Sequence, residues 1–214
     1  MKPPRKIIEF QTPEALPEFR PDPRILTQPN IPKPLHGVNP RTILGEGWWE
    51  IQKGIAKQRT GNRCEACGSG PGGLRGKPWL ECHEAYDFDY KNGRVSFLHV
   101  SPLCHYCHNF IHSGRLTMIA GKEKTWDEVR AILEHGFQTI SAWNKARPAG
   151  TKCLQAFPSA KELSYDAKAR TFGVRASKLP ETSTPWADWR LVIDGKEFPP
   201  IFKTFQEWRA HWGV

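Results

Sequence analysis

Apolar and polar positions change period several times along this chain, and each change predicts an element. From Gly45 onward, Trp48, Ile51 and Ile55 recur at helical spacing with Glu50, Lys53 and Lys57 elsewhere on the turn. That pattern predicts an amphipathic helix burying the first set, closed by Gly61. Leu80 to Asp89 and Arg94 to Val100 read as antiparallel strands joined at Asn92-Gly93, a dipeptide suited to the type I′ hairpin turn, with Pro102 closing the second strand. A further helix is predicted to start near Cys104 and to run through His112 to Gly114, a residue suited to a C-cap. Thr125-Trp126-Asp127-Glu128 has the spacing of a capping box and opens a helix predicted to end at Gly136. Ser159–Glu162 and Thr204–Glu207 repeat that spacing, the second opening a helix that runs nearly to the C-terminus. Before it, Trp189–Ile193 and Lys196–Phe198 flank Asp194-Gly195, another hairpin signal.

Ten of the nineteen prolines lie between Pro3 and Pro40. Proline fixes φ and removes a backbone donor, which excludes a central strand or a long helix there. An extended arm is expected, pinned to the body by Phe10, Phe19, Ile25 and Leu26. The chain thus divides into a proline-rich arm (1–44), a metal-centred body (45–146) and a hairpin-plus-helix extension (147–214), in an α+β fold. Nine tryptophans and eleven phenylalanines offset a modest apolar fraction of 38%. They read as anchors of small cores, because no alternating basic–aromatic run surrounds them.

Composition narrows the function. No apolar run approaches the ~20 residues of a membrane span, and the first residues lack the apolar segment of a secretory signal, so a cytoplasmic location is expected. A net charge of +9 favours a polyanionic partner. Six cysteines in that setting read as metal ligands and free thiols rather than a disulfide framework.

The chemistry concentrates between residues 64 and 115. Cys64-Glu65-Ala66-Cys67 and Cys104-His105-Tyr106-Cys107 are two Cys-x-x-Cys knuckles, and four thiolates so spaced suit one tetrahedral zinc. Cys82 and Cys153 fall outside the pattern as free thiols. His108 and His112, four apart, share a helical face directly after the second knuckle. Leu80-Glu81-Cys82-His83-Glu84 supplies a histidine and acids on the preceding strand. Hydrolysis of a phosphodiester needs an activated water, a Lewis acid on the phosphate and stabilisation of the leaving oxygen, and such residues supply the parts. Arg75, Lys77, Arg94 and Arg115 are candidate phosphate contacts, against a default of solvated surface charges.

The stretches Leu80–Glu84 and Leu103–Arg115 resemble the HNH endonuclease family, and more closely its phage and mobile-element members with four zinc-binding cysteines. His36–Arg41, Trp48-Trp49 and Asp194–Phe198 carry a weaker likeness. The resemblance implies a ββα-metal core, a divalent ion at the active site and cleavage of DNA. It assigns Cys64, Cys67, Cys104 and Cys107 to structural zinc, and His108 and His112 to the neighbourhood of a catalytic ion such as Mg²⁺, Mn²⁺, Ni²⁺ or Zn²⁺. For the strand it leaves two assignments. Either His83 is the general base, the family's habit, and Cys82 falls on the ligand position; or Glu81 matches the glutamate two places before the ligand, His83 is the ligand and Glu84 the base. His99 stands where many members carry a structural asparagine; Asn109, inside the helix, is a different residue.

The expected activity is therefore metal-dependent hydrolysis of DNA. The alternative is a zinc-stapled protein of the same fold that has lost cleavage and binds DNA or a host protein; less favoured is a zinc-ribbon regulator.

Overall fold

The computed structural model describes residues 19–70, 73, 76–112, 115–116, 119–154, 165–166, 171–172 and 183–213. Phe10, Arg75, Gly114 and the helix expected at Ser159–Glu162 lie outside them. Among the described residues the architecture is mixed α/β, with four helices, a four-stranded sheet and a cluster of four cysteines.

The first helix, α1 (Pro40–Arg59), starts inside the proline-rich segment. Asn39 Oδ1 accepts from Thr42 N while Thr42 Oγ1 accepts from Asn39 N, and proline at the first helical position needs no donor. Gly45, at φ +86, interrupts it with a kink. Two members of the expected stripe face water instead: Ile51 is 63% exposed and Ile55 53%. Trp49 and Ala56, seven residues apart, pack on the sheet at Val100, with Trp48, Cys82 and Phe97 partly buried around them. The helix carries two apolar faces, and among the described residues only the one with Trp49 and Ala56 packs on the sheet.

β1 (Glu81–Asp89) and β2 (Arg94–Leu103) form the expected antiparallel hairpin, with His83 opposite Ser101. Pro102 does not close β2, which extends to Leu103, where β1 begins opposite it. The connection is not the two-residue type I′ turn. Asp89 pairs with Arg94, leaving Tyr90–Gly93 as the loop, and only Gly93 has positive φ. Asp89 stabilises that wider loop by accepting from Asn92 N (3.1 Å) and Asn92 Nδ2 (2.6 Å), and Gly93 O accepts from Arg190 N at 2.8 Å.

A separate two-stranded piece pairs β3 (Tyr165–Asp166) with β4 (Thr171–Phe172). β5 (Arg190–Ile193) and β6 (Lys196–Phe198) form the predicted C-terminal hairpin, and Asp194 (φ +49) and Gly195 (φ +75) make a two-residue turn with both φ positive. This hairpin continues the sheet of the metal-centred body: β5 runs parallel to β2, giving the order β1-β2-β5-β6.

α2 (His105–Ile111) follows β2 immediately. α3 (Trp126–Ala146) begins with the capping box expected at Thr125 but does not stop at Gly136. Gly136 is there for close approach: a Cβ at that position would lie 2.1 Å from Phe110 Cδ2, so glycine lets α3 lie against α2. Phe110, 1% exposed, anchors the core between them, and its truncation to alanine costs roughly 3–5 kcal/mol.

The arm is more structured than an extended strap. Pro23–Thr27 and Lys33–Leu35 form 3₁₀ turns, and Ile25 and Leu26 enter the α2–α3 core as anticipated. The last helix, α4 (Phe205–Trp212), is capped by Thr204 Oγ1, which accepts from Glu207 N, and it packs on the arm. Trp208 is buried and donates through Nε1 to His36 Nδ1 at 3.2 Å, while Lys33 lies 5.0 Å from the Trp208 ring centre. Among the described residues no helix is long and apolar enough to cross a membrane.

Candidate metal centres

The two knuckles converge. The sulfurs of Cys64, Cys67, Cys104 and Cys107 all lie within 4.8 Å of one another. Zinc–sulfur bonds of about 2.3 Å in a tetrahedron require sulfurs about 3.8 Å apart, and Cys67 Sγ to Cys104 Sγ is 3.8 Å. The donor set fits zinc. Backbone geometry holds each sulfur: Cys64 O accepts from Gly68 N and Ser69 O from Cys64 N, both at 2.8 Å, and Gly68 sits at φ +76 to complete that turn. Glu65 N donates to Pro102 O (2.8 Å), which fastens the first knuckle to β2 beside the second. Hydrogen bonds among the four sulfurs lower the thiols of Cys67 and Cys104 and raise those of Cys64 and Cys107, whereas a bound metal requires all four as thiolates.

His135, which the sequence reading did not single out, closes this cluster from α3. Its Nε2 lies 3.4 Å from Cys107 Sγ and 3.9 Å from Cys104 Sγ. Burial lowers its pKa, but the contacts with Cys104 and Cys67 outweigh that and raise it to about 9, setting a cation against sulfur. No local spacing announces this residue, since it stands on another helix, 28 positions beyond Cys107.

The second cluster joins strand to helix. His83 of β1, His108 of α2 and His112 at the C-terminal end of α2 offer ring nitrogens within 4.8 Å of one another, with the His83 ring centre 4.7 Å from that of His112 and 5.6 Å from that of His108. Burial, then repulsion by His112 and His108, lowers the His83 pKa to about 3. Burial, then His108 and Arg115, lowers His112 to about 4. Both imidazoles are neutral at physiological pH, the state in which a ring nitrogen can ligate a cation.

Glu81 stands behind these rings. One of its carboxylate oxygens, Oε2, is 2.9 Å from His105 Nδ1 and 3.1 Å from His108 Nδ1, and Oε1 accepts from Lys77 Nζ at 2.7 Å. Burial would raise its pKa, but the bonds with His108, Lys77 and His105 prevail and keep it ionised well below the usual carboxylate range. A carboxylate on His108 Nδ1 leaves Nε2 as the nitrogen available to a ligand, the arrangement that orients imidazoles in metal sites.

Strand alternation turns Cys82 and Glu84 to the face opposite His83, but their surroundings differ. Cys82 joins the apolar cluster under α1, away from the imidazoles. Glu84 offers no oxygen to the three-histidine group but lines the same cavity as His83 and His112, and burial raises its pKa. Gln28 reaches in from the arm at the β1 bulge between Ala85 and Tyr86: its Oε1 accepts from Tyr86 N (2.9 Å) and its Nε2 donates to Glu84 O (3.1 Å), 3.4 Å from His83 Nε2. It satisfies two backbone groups on the open edge of β1. His99, at the asparagine position of the resemblance, bonds Glu65 at 3.0 Å. Burial works against ionisation of Glu65, yet His99 and Arg59 hold its pKa down to about 2.

The candidate phosphate contacts scatter. Lys77 is paired with Glu81, Arg94 with Glu197 on β6, Arg115 is exposed near His112, and Arg75 is outside the described residues. Arg41, quoted in the sequence only as part of the weaker likeness, lines the cavity beside His83, Glu84 and His112. No family model, curated protein or solved structure matches this chain.

Proposed function

We propose that this protein is a metal-dependent endonuclease of the HNH type, hydrolysing DNA phosphodiester bonds on a ββα-metal unit formed by β1, β2 and α2. The observation that carries the reading is the convergence of His83, from the strand, with His108 and His112, from the helix that follows the second knuckle. Three imidazoles with no fourth donor in the group among the described residues form a ligand set with room for water and substrate.

In this reading His83, His108 and His112 hold a divalent ion, which when bound supplies the Lewis acid on the phosphate oxygens. Of the two strand assignments, the one with His83 as ligand has the better support, because its ring belongs to the cluster and Cys82 does not. Glu84 is then the general base. Glu84 lines the same cavity, and a burial-raised pKa makes it a stronger proton acceptor than an exposed glutamate. Glu81 fixes the His108 ring, and Gln28 fixes the backbone on which His83 and Glu84 sit. Four cysteines would hold a structural zinc that locks hairpin to helix.

The test is incubation of purified protein with supercoiled plasmid DNA and Mg²⁺, Mn²⁺ or Ni²⁺. Wild type is expected to convert it to nicked or linear forms with at least one ion, and His83→Ala to leave it intact. Wild type inactive with every ion would remove the enzymatic reading. Retained DNA binding in that case would move the protein to the cleavage-deficient, zinc-stapled binder.

A further inference from the structure

A cavity of about 420 Å³ opens beside His83 and His112, and its walls come from three distant parts of the chain. His83, Glu84 and His112 form one side. The arm contributes Ile31, Leu35 and Val38, and Arg41 follows at the start of α1. Trp212, the last residue of α4, stands at the rim and is 51% exposed.

Three features make this a built site. The rim is anchored: α4 is held by its Thr204 cap, by buried Trp208 bonded to His36, and by Lys33 over the Phe205 and Trp208 rings. The cation is oriented: Arg41 Nε donates to Glu46 Oε2 at 2.6 Å, which leaves the two terminal nitrogens for another acceptor, and the side chain is 53% exposed. The walls are apolar and the far side polar, the make-up of a pocket that binds a flat ring by its faces.

We infer that this cavity is a nucleotide subsite. One base of the DNA strand stacks on Trp212 between the apolar walls, and Arg41 contacts an adjoining phosphate. The assignment rests on the nuclease reading for its substrate class and adds what that reading lacks, a place for the nucleotide next to the scissile bond. The volume suits one nucleotide and not a stacked base pair, so the base that enters is unpaired or turned out of the duplex, least costly at single strands and mismatches.

The experiment measures binding of a fluorescein-labelled single-stranded oligonucleotide and of its matched duplex, with no divalent ion present, by wild type, Trp212→Ala, Trp212→Phe and Arg41→Ala. Plasmid nicking is followed in parallel. Trp212 and Arg41 are surface residues, and a thermal melt checks that each variant stays folded. Trp212→Ala should weaken single-strand binding about 5- to 100-fold while Trp212→Phe stays within a few-fold of wild type. Arg41→Ala should reduce the salt dependence of binding by about one phosphate contact. In nicking, the loss should appear in KM with kcat unchanged.

Equal affinity of wild type and folded Trp212→Ala overturns the subsite, whether or not the protein nicks DNA, and so does wild type that binds no oligonucleotide. Wild type that never nicks but loses binding on Trp212→Ala leaves the subsite standing and removes the nuclease reading.

Discussion

The cysteine cluster and the histidine cluster share the same hairpin and helix, yet they meet solvent in opposite ways. Cys64, Cys104 and Cys107 are fully buried, their sulfurs lie with that of Cys67 within 4.8 Å of one another, and His135 covers them from α3. The imidazoles of His83, His108 and His112 supply three donors, and two of them, His83 and His112, border an open cavity. Closed four-donor sites contribute to folding, whereas sites with an open position do chemistry. In the proposed reading one short unit carries both kinds, and the difference lies in what surrounds the donors. The knuckles are wrapped by backbone hydrogen bonds and α2–α3 packing; the histidines face the arm and α4, which leave a gap.

The widest separation between the two should appear on removing sulfur. Cys107→Ser should abolish folding of the body: a structural zinc contributes on the order of 10 kcal/mol, comparable with the ~5–15 kcal/mol of total stability in a typical domain. Circular dichroism and zinc content measured together check this, and loss of the metal with an unchanged melting temperature would show that the cluster is not a staple. A strong chelator should have the same effect on wild type.

The second separation is in rate. Glu84→Gln keeps the shape of β1 and removes a proton acceptor. It should lower plasmid cleavage about 10²- to 10⁴-fold while zinc content and melting temperature stay at wild-type values. Should His83→Gln lose cleavage by removing the base while Glu84→Gln stays active, the strand assignment reverts to His83 as base.

How much of this could be read from residues alone follows from the range of each interaction. The knuckles, the His108–His112 pair and the caps at Thr125 and Thr204 are local, and spacing announced them. The approach of His83 to the pair followed from a hairpin leading straight into a helix, although alternation had to exclude Cys82. Failures occurred where tertiary contacts overrode a local signal. Asn92-Gly93 and Asp194-Gly195 carry the same turn signal, but only the second makes a two-residue turn, because Asp89 bonds Asn92 and Gly93 O bonds Arg190 across the sheet. Ile51 and Ile55 obey helical periodicity on the face of α1 that meets no other element among those described, while Trp49 and Ala56 do the packing. His135, Gln28, Arg41 and Trp212 reach their sites from other elements, and no window around any of them contains the partner.

The smallest expected effect lies at the junction between the two regions. Glu81 touches both: His105, between the second pair of cysteines, and His108, in the histidine cluster, share its Oε2. If the carboxylate serves the open site by orienting an imidazole, Glu81→Gln should weaken the second ion or lower activity about 10- to 100-fold, the usual cost of losing a ligand's hydrogen-bond partner. Activity should partly return at higher ion concentration, and zinc content should not change. If Glu81 chiefly braces the knuckle, zinc retention and melting temperature should fall first, with no rescue by added ion. The ion-concentration dependence of Glu81→Gln therefore tells which of the two sites this strand residue supports, because orientation can be offset by mass action and a broken staple cannot.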